Sequence, residues 1–316
     1  MGGHCMDVTQ QKRRVMFHKK IMLHGHTGAL YALETNSLNN ILYSAGSDKL
    51  IVAWPFPYNG DGVVIAKMPT IVYSLCYISH NNELLAATSQ GMVHVINTLT
   101  NTETRMIQFF NAPVFDVMYF KAKNIVAVLS GDGMVSFCND SDYKVMSTIQ
   151  TCNAKVRTII YIDDTNEYVV GNGDGTISII DGQHLKIKSH FDAHTKGWSV
   201  NALCYVPSQN LMWSGSRDAL LHSYMVNDNF KKDKSIPAHN YAIYKMKLNA
   251  SQNLIATCSR DKTIKVWNAK MDFIQRLDHE KEKGHINSVN NILWLDDQTL
   301  VSCSDDRGII VWSDNL

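Results

Sequence analysis

The stretch Thr257-Cys-Ser-Arg-Asp-Lys-Thr-Ile-Lys-Val-Trp267 decides how the rest of this chain is read. It joins a small hydroxyl residue, a polar turn carrying an aspartate, and a short β-branched run closed by a large aromatic ring. The pattern returns as Ser302-Cys-Ser-Asp-Asp-Arg-Gly-Ile-Ile-Val-Trp312 and, near the start, as Ser44-Ala-Gly-Ser-Asp-Lys-Leu-Ile-Val-Ala-Trp54. A fourth copy, Ser214-Gly-Ser-Arg-Asp-Ala-Leu-Leu-His-Ser-Tyr224, ends in tyrosine. In all four the aspartate stands four residues after the Ser or Thr and six before the ring.

Three weaker copies fill the middle: Thr88 to Ile96, Leu129 to Cys138 and Val170 to Ile180. Taking the ring position as a marker gives 54, 96, 138, 180, 224, 267 and 312, with steps of 42, 42, 42, 44, 43 and 45. A period of about 43 residues holds four short strands, which is one propeller blade. Asp132-Gly133 and Asp174-Gly175 fall between apolar runs, where a tight hairpin needs positive φ. No segment carries a 3.6-residue period, so almost no helix is predicted. The expected fold is all-β: a seven-bladed β-propeller of four-stranded antiparallel blades. The last copy stops three strands into its blade, and Arg14 to Leu23 read as an orphan strand. Pairing the two closes the ring and removes an exposed edge. Residues 1–13 are then an N-terminal tail, and 14–316 a single propeller.

Composition fits that reading. Hydrophobic residues make up 45% and charged residues 19% of 316, an ordinary globular balance. A formal net charge of +1 gives no global attraction to nucleic acid or membrane. The seven cysteines include no Cys-x-x-Cys pair, so a zinc site is not expected, and their scatter through apolar runs suits a reducing, intracellular compartment. Neither a secretory leader nor a membrane span is predicted. The expected setting is the cytoplasm, with the nucleus as an alternative.

The repeats resemble those of the WD40 family, whose blades carry a Gly-His pair, then Ser-Gly-Ser-x-Asp, then a Trp. Gly25-His26 and Gly284-His285 match in full, and Ala193-His194 and Ala238-His239 keep the histidine. The resemblance implies buried hydrogen-bonded tetrads: His26, Ser44, Asp48 and Trp54; His239, Thr257, Asp261 and Trp267; His285, Ser302, Asp306 and Trp312. In the fifth blade His194, Ser214 and Asp218 are kept, with Tyr224 in the Trp position. A buried carboxylate needs donors, and imidazole and hydroxyl supply them. Blades two to four depart from the pattern. They lack the histidine and place Ile96, Cys138 and Ile180 at the ring position, so they are expected to rely on apolar packing alone.

A His, Asp and Ser trio invites a hydrolase reading, but the trio recurs in four blades at one phase, as a structural motif does. No Gly-x-Ser-x-Gly elbow or phosphate loop is present. His279-Glu280 and His285 are wrongly spaced for a zinc helix, and the calcium-like Asn172 to Thr176 is explained by a hairpin turn. No catalytic residue, cofactor or metal is therefore assigned.

The resemblance also implies binding at the rim around the central channel. The residue after the first apolar position of each inner strand is Tyr31, Tyr73, Phe115, Arg157, Asn201, Tyr244 and Asn290. Two residues earlier comes a row that includes Lys155, and before each tetrad aspartate a row that includes Arg217, Arg260 and Asp305. Trp198, in a loop lengthened by two residues, joins them. Tyr, Phe and Arg bring area and directional donors to interaction hot spots. The function expected is a non-catalytic protein–protein interaction scaffold, a subunit of a larger complex, with a peptide or domain of a partner on this rim. The basic residues fit an acidic or phosphorylated partner. The alternative is a small-ligand-binding or hydrolytic propeller using the channel mouth.

Overall fold

The computed structural model describes residues 16–36, 40–58 and 60–314; the predicted tail 1–13 and the first two residues of the predicted Arg14–Leu23 strand lie outside them. Seven four-stranded sheets form seven blades. The first consists of Leu30–Asn36, Ile41–Gly46, Leu50–Pro55 and Val63–Lys67, running outward from the channel. The inner strands of the next five blades are Val72–Ile78, Val114–Phe120, Val156–Ile162, Val200–Val206 and Ile243–Leu248. The seventh blade takes Val289–Asp296, Thr299–Ser304 and Ile309–Ser313 from the end of the chain and His18–Leu23 from its start. Leu23 pairs with Ile309 and Met22 with Ile310, which closes the ring through hydrogen bonds between the two ends.

The position of each strand in its blade follows from which faces are covered. Second and third strands are sandwiched between neighbouring blades, so both faces are apolar: every residue of Ile125–Ser130 is buried. Outermost strands meet solvent and read as polar, as in Thr102–Gln108. The core is accordingly a ring of inter-blade clusters. One runs from Cys76 and Val95 of the second blade to Val117 and Cys138 of the third. Among the described residues helix is limited to three 3-10 turns and the four-residue His279–Glu282, capped by Asp278 accepting from the Lys281 amide.

Two turn signals carry the repeat. Gly133 sits at φ +90°, and a Cβ there would lie 2.0 Å from the Cys152 carbonyl oxygen, so only glycine fits. Asn40, Asn82, Asn124, Asn166 and Asn210 all adopt the left-handed region between an inner and a second strand. Asn reaches that region cheaply because its side chain bonds the local backbone.

The expectation that blades two to four rest on apolar packing alone fails. In the fourth blade the buried Asn172 Nδ2 donates to Ser178 Oγ and Thr176 Oγ1, each at 2.9 Å. Between the second and third, the Tyr143 hydroxyl donates to Glu83, and Asn81 Nδ2 donates to the Asp140 carbonyl at 2.9 Å. Amide and phenol groups here meet the polar requirement that histidine meets elsewhere.

Candidate binding rim and central channel

Each inner strand carries one irregularity at the same place. The register skips a residue after Leu30, Val72, Val114, Val156, Val200, Ile243 and Val289. The skipped residues are Tyr31, Tyr73, Phe115, Arg157, Asn201, Tyr244 and Asn290. A bulge leaves its extra residue unpaired and re-aims the side chain. Repeated seven times, it turns one side chain per blade into the mouth of the channel, where all seven line a common funnel. The two flanking rows are tied together by backbone bonds: the Arg217, Arg260 and Asp305 amides donate to the carbonyls of Ser199, Ala242 and Ser288.

Around the funnel the aromatic and cationic side chains form a continuous arc. Tyr31 and Tyr73 have ring centroids 5.7 Å apart, and Tyr73 and Phe115 5.1 Å. The Arg157 guanidinium lies 4.2 Å from the Phe115 ring centre. A second basin of about 640 Å³ adjoins it, lined by Lys155, Arg157, Trp198, Arg217, Tyr241 and Arg260 among others. Arg217 stands 5.8 Å from the Trp198 ring and Arg260 5.9 Å from the Tyr241 ring. Among the described residues none of Lys155, Arg157, Arg217 and Arg260 has a carboxylate within 4.0 Å. Burial, with the Arg157 and Arg217 guanidinium groups beside it, holds the Lys155 amine below its usual range. Tyr241 was not singled out in the sequence; the signal available was its place just before Ala242, which matches that of Trp198 just before Ser199.

Three of the predicted rim residues are already engaged within the protein. Asn201 Nδ2 donates to the Ile243 carbonyl at 2.9 Å, stapling the fifth blade to the sixth. Asn290 Nδ2 donates to the Leu30 carbonyl at 2.8 Å, across the ring closure, and to Asp305 Oδ1 at 2.7 Å.

Below the funnel the channel is closed by an ion pair. Lys245 Nζ lies 2.8 Å from Asp116 Oδ2, and Ser74 Oγ donates to Asp116 Oδ1 at 2.6 Å. Asp116 belongs to the third blade and Lys245 to the sixth, so the pair spans the channel from opposite sides.

The His, Ser/Thr, Asp and Trp groups lie inside the blades. His26 Nδ1 is 2.7 Å from Asp48 Oδ2 and its Nε2 2.7 Å from Ser44 Oγ, while Trp54 Nε1 donates to Ser44 Oγ at 2.8 Å. With Nδ1–H donating to the carboxylate, Nε2 accepts from the hydroxyl, which in turn accepts from the indole. His239, Thr257, Asp261 and Trp267 repeat the chain at 2.9, 2.9 and 3.0 Å. His285, Ser302, Asp306 and Trp312 repeat it at 2.8 Å throughout. In the fifth blade His194 meets Asp218 at 3.0 Å and Ser214 at 2.7 Å, but the Tyr224 hydroxyl donates to the Ala193 carbonyl, 2.9 Å away. A phenol is longer than an indole N–H and reaches the backbone of the preceding loop. Burial alone would raise the Asp218 carboxyl, but the His194 hydrogen bond and charge outweigh it and bring it to about 2.

His194, Asp218 and His222 place their ligand atoms within 4.8 Å of one another. Both ring nitrogens of His194 are engaged by Asp218 and Ser214, so a metal there would have to displace the fifth blade's clamp.

Seven bulged sheets around a plugged channel define a seven-bladed β-propeller. The family WD domain, G-beta repeat, matches residues 230–268 and 276–313, which supports a WD-repeat propeller. Nuclear distribution protein PAC1 of Candida dubliniensis is 34% identical over 111 residues, covering 34% of this chain and 22% of that protein. Ribosome biogenesis protein YTM1 of Debaryomyces hansenii is 27% identical over 128 residues, covering 37% and 27%. The chain thus spans about a quarter of the length of these curated relatives. The WD40 β-propeller domain of Doa1 has the same fold, with a TM-score of 0.81 at 16% identity over 94% of this chain and 97% of that one. Among the described residues no helix is long and apolar enough to cross a membrane.

Proposed function

We propose that this propeller is a non-catalytic platform that holds a peptide segment or domain of a partner protein on the bulged rim, as a subunit of an intracellular complex. The observation that carries the reading is the convergence of Lys155, Arg157, Arg217 and Arg260 on one basin, without carboxylate partners and backed by Phe115, Trp198 and Tyr241. Cations held apart from acids by aromatic faces are already partly desolvated, so an incoming acidic or phosphorylated side chain gains charge-assisted bonds at little ordering cost. Tyr31, Tyr73 and Tyr244 add apolar area next to the charge.

Affinity capture from native lysate tests it, with the wild type beside the double variant Tyr244→Ala, Arg260→Glu. A partner held by the wild type should be lost from the folded variant, with affinity falling on the order of 100-fold. Pre-treating the lysate with phosphatase then reads whether phosphate is the recognised group. Capture of the same proteins by both forms overturns the rim assignment. A nucleic-acid partner would instead show as salt-dependent retention on a polyanion column.

A further inference from the structure

On the face away from the rim the channel opens into a second cavity of about 590 Å³, within the usual range of small-molecule sites. Its walls are mainly apolar and aromatic, with Met118, Phe120, Tyr161 and Leu248 among them. The Asp116–Lys245 plug, shared with the funnel above, forms part of its polar lining, and Lys121, Thr158, Asp163, Asp164 and Lys247 complete it. The Lys245 charge is answered by Asp116. Lys247, two residues along the same strand, is not answered: among the described residues its ammonium has no ion-pair partner within 4.0 Å and no hydrogen bond to its Nζ. The opposite charge that acts on it most is Glu34, which does not line the cavity and whose Oε1 accepts from the Thr35 amide. Burial and then the Lys245 charge hold the Lys247 amine below its usual range.

The walls are built and held in place. Tyr119, Tyr161 and Tyr205 occupy the same position in successive blades, and each hydroxyl is committed to an asparagine or aspartate, of which Asp164 itself lines the cavity. Tyr161 donates to Asn166 at 2.7 Å, Tyr205 to Asp164 at 2.7 Å and Tyr119 to Asp140 at 2.9 Å. Their hydroxyls are thus occupied, Lys123 lies 5.2 Å from the Tyr161 ring centre, and the half-buried Lys247 supplies the head-group contact, with the exposed Lys121 also lining the cavity. We infer that this opposite mouth binds an amphiphilic monocarboxylate, with its carboxylate on Lys247 and its apolar body against Met118, Phe120 and Tyr161. The site is separate from the rim and does not depend on the platform reading.

The probes are decanoate and decan-1-ol, which share a chain and differ in the head group, titrated calorimetrically into the whole protein. Decanoate should bind one to one and on the order of ten-fold more tightly than decanol, since only it forms a charge-assisted bond. Lys247→Met keeps the stem and removes the charge; it should erase the preference and leave decanol binding unchanged. Lys247→Arg should retain the preference, which separates lost charge from lost folding, with thermal unfolding checked for both. The rim variant Tyr244→Ala, Arg260→Glu should bind decanoate as the wild type does. The inference is overturned if decanoate does not bind, if it binds no better than decanol, or if Lys247→Met keeps the preference.

Discussion

Blades five, six, seven and one form one arc of the ring, and blades two, three and four the other. The first arc is clamped by imidazole, carboxylate and hydroxyl, joined by indole in three blades and by a phenol contact to backbone in the fifth. In the second arc the ring position shrinks to Ile96, Cys138 or Ile180, all buried. There the polar links use Asn172 to Ser178, Tyr143 to Glu83 and Asn81 to the Asp140 carbonyl. The blade geometry does not require one set of residues. It requires that groups buried by stacking be paired, and that the space beneath the turn be filled. What the ring offers a partner is divided along a different line. Phe115, Tyr73 and Tyr31 make the aromatic side of the funnel, while Lys155, Arg157, Arg217 and Arg260 concentrate charge on blades four to six.

The sharpest break in this comparison is to truncate the ring position in each arc. Trp312→Ala removes a fully buried indole and its bond to Ser302, and should cost about 4 kcal/mol. Cys138→Ala, at the matching position of the third blade, should cost about 1 kcal/mol. Equilibrium urea unfolding reads both, and equal losses would show that the arcs do not differ in this way. Next in size is the link between the arcs. Asp116→Asn leaves Lys245 without its partner inside the channel and should cost about 3 kcal/mol, read as a lower urea midpoint with unchanged slope.

Acid sharpens the comparison further. The Asp218 carboxyl is depressed to about 2 in the fold, against about 3.9 unfolded, so its stabilisation is complete above the unfolded value and lost as pH falls toward 2. Burial, and then the His194 charge, depress His222 to about 4. The unfolded chain protonates that histidine first, so its share is lost as pH falls from about 6.5 to 4. Both act in one direction. Stability should fall on acidification, and Asp218→Asn should flatten the curve below about pH 4 by about 2 kcal/mol. A variant as acid-sensitive as the wild type would remove the clamp from the account. The smallest effect expected is Asn172→Ala, about 1 kcal/mol, since it removes one amide from a network in which Thr176 keeps its Asp174 contact.

What was readable in the sequence is what repeats locally. The phase of Asp, ring and turn fixed the blade count, and the orphan strand before Leu23 pointed to the closure seen in its pairing with Ile309. The row of funnel residues keeps the same phase, although nothing in the linear pattern marks a bulge. The Asn turns from Asn40 to Asn210 and the tyrosines beneath them are equally periodic, but a polar turn residue looks ordinary one at a time.

By itself, then, the chain determined its number of blades, the strand that completes the last one, and which side chains fall at each repeated place, because those depend on spacing within about 43 residues and on the two-residue alternation of a strand. Tertiary structure alone decided that Asp116 meets Lys245, 129 residues away on the far side of the ring, that Asn290 is used up stapling the closure, and that Lys247 is left unanswered. Those outcomes depend on curvature. Only when seven twisted sheets close do the third and sixth blades face each other, and a charge then finds a partner or lacks one according to which side chain stands opposite.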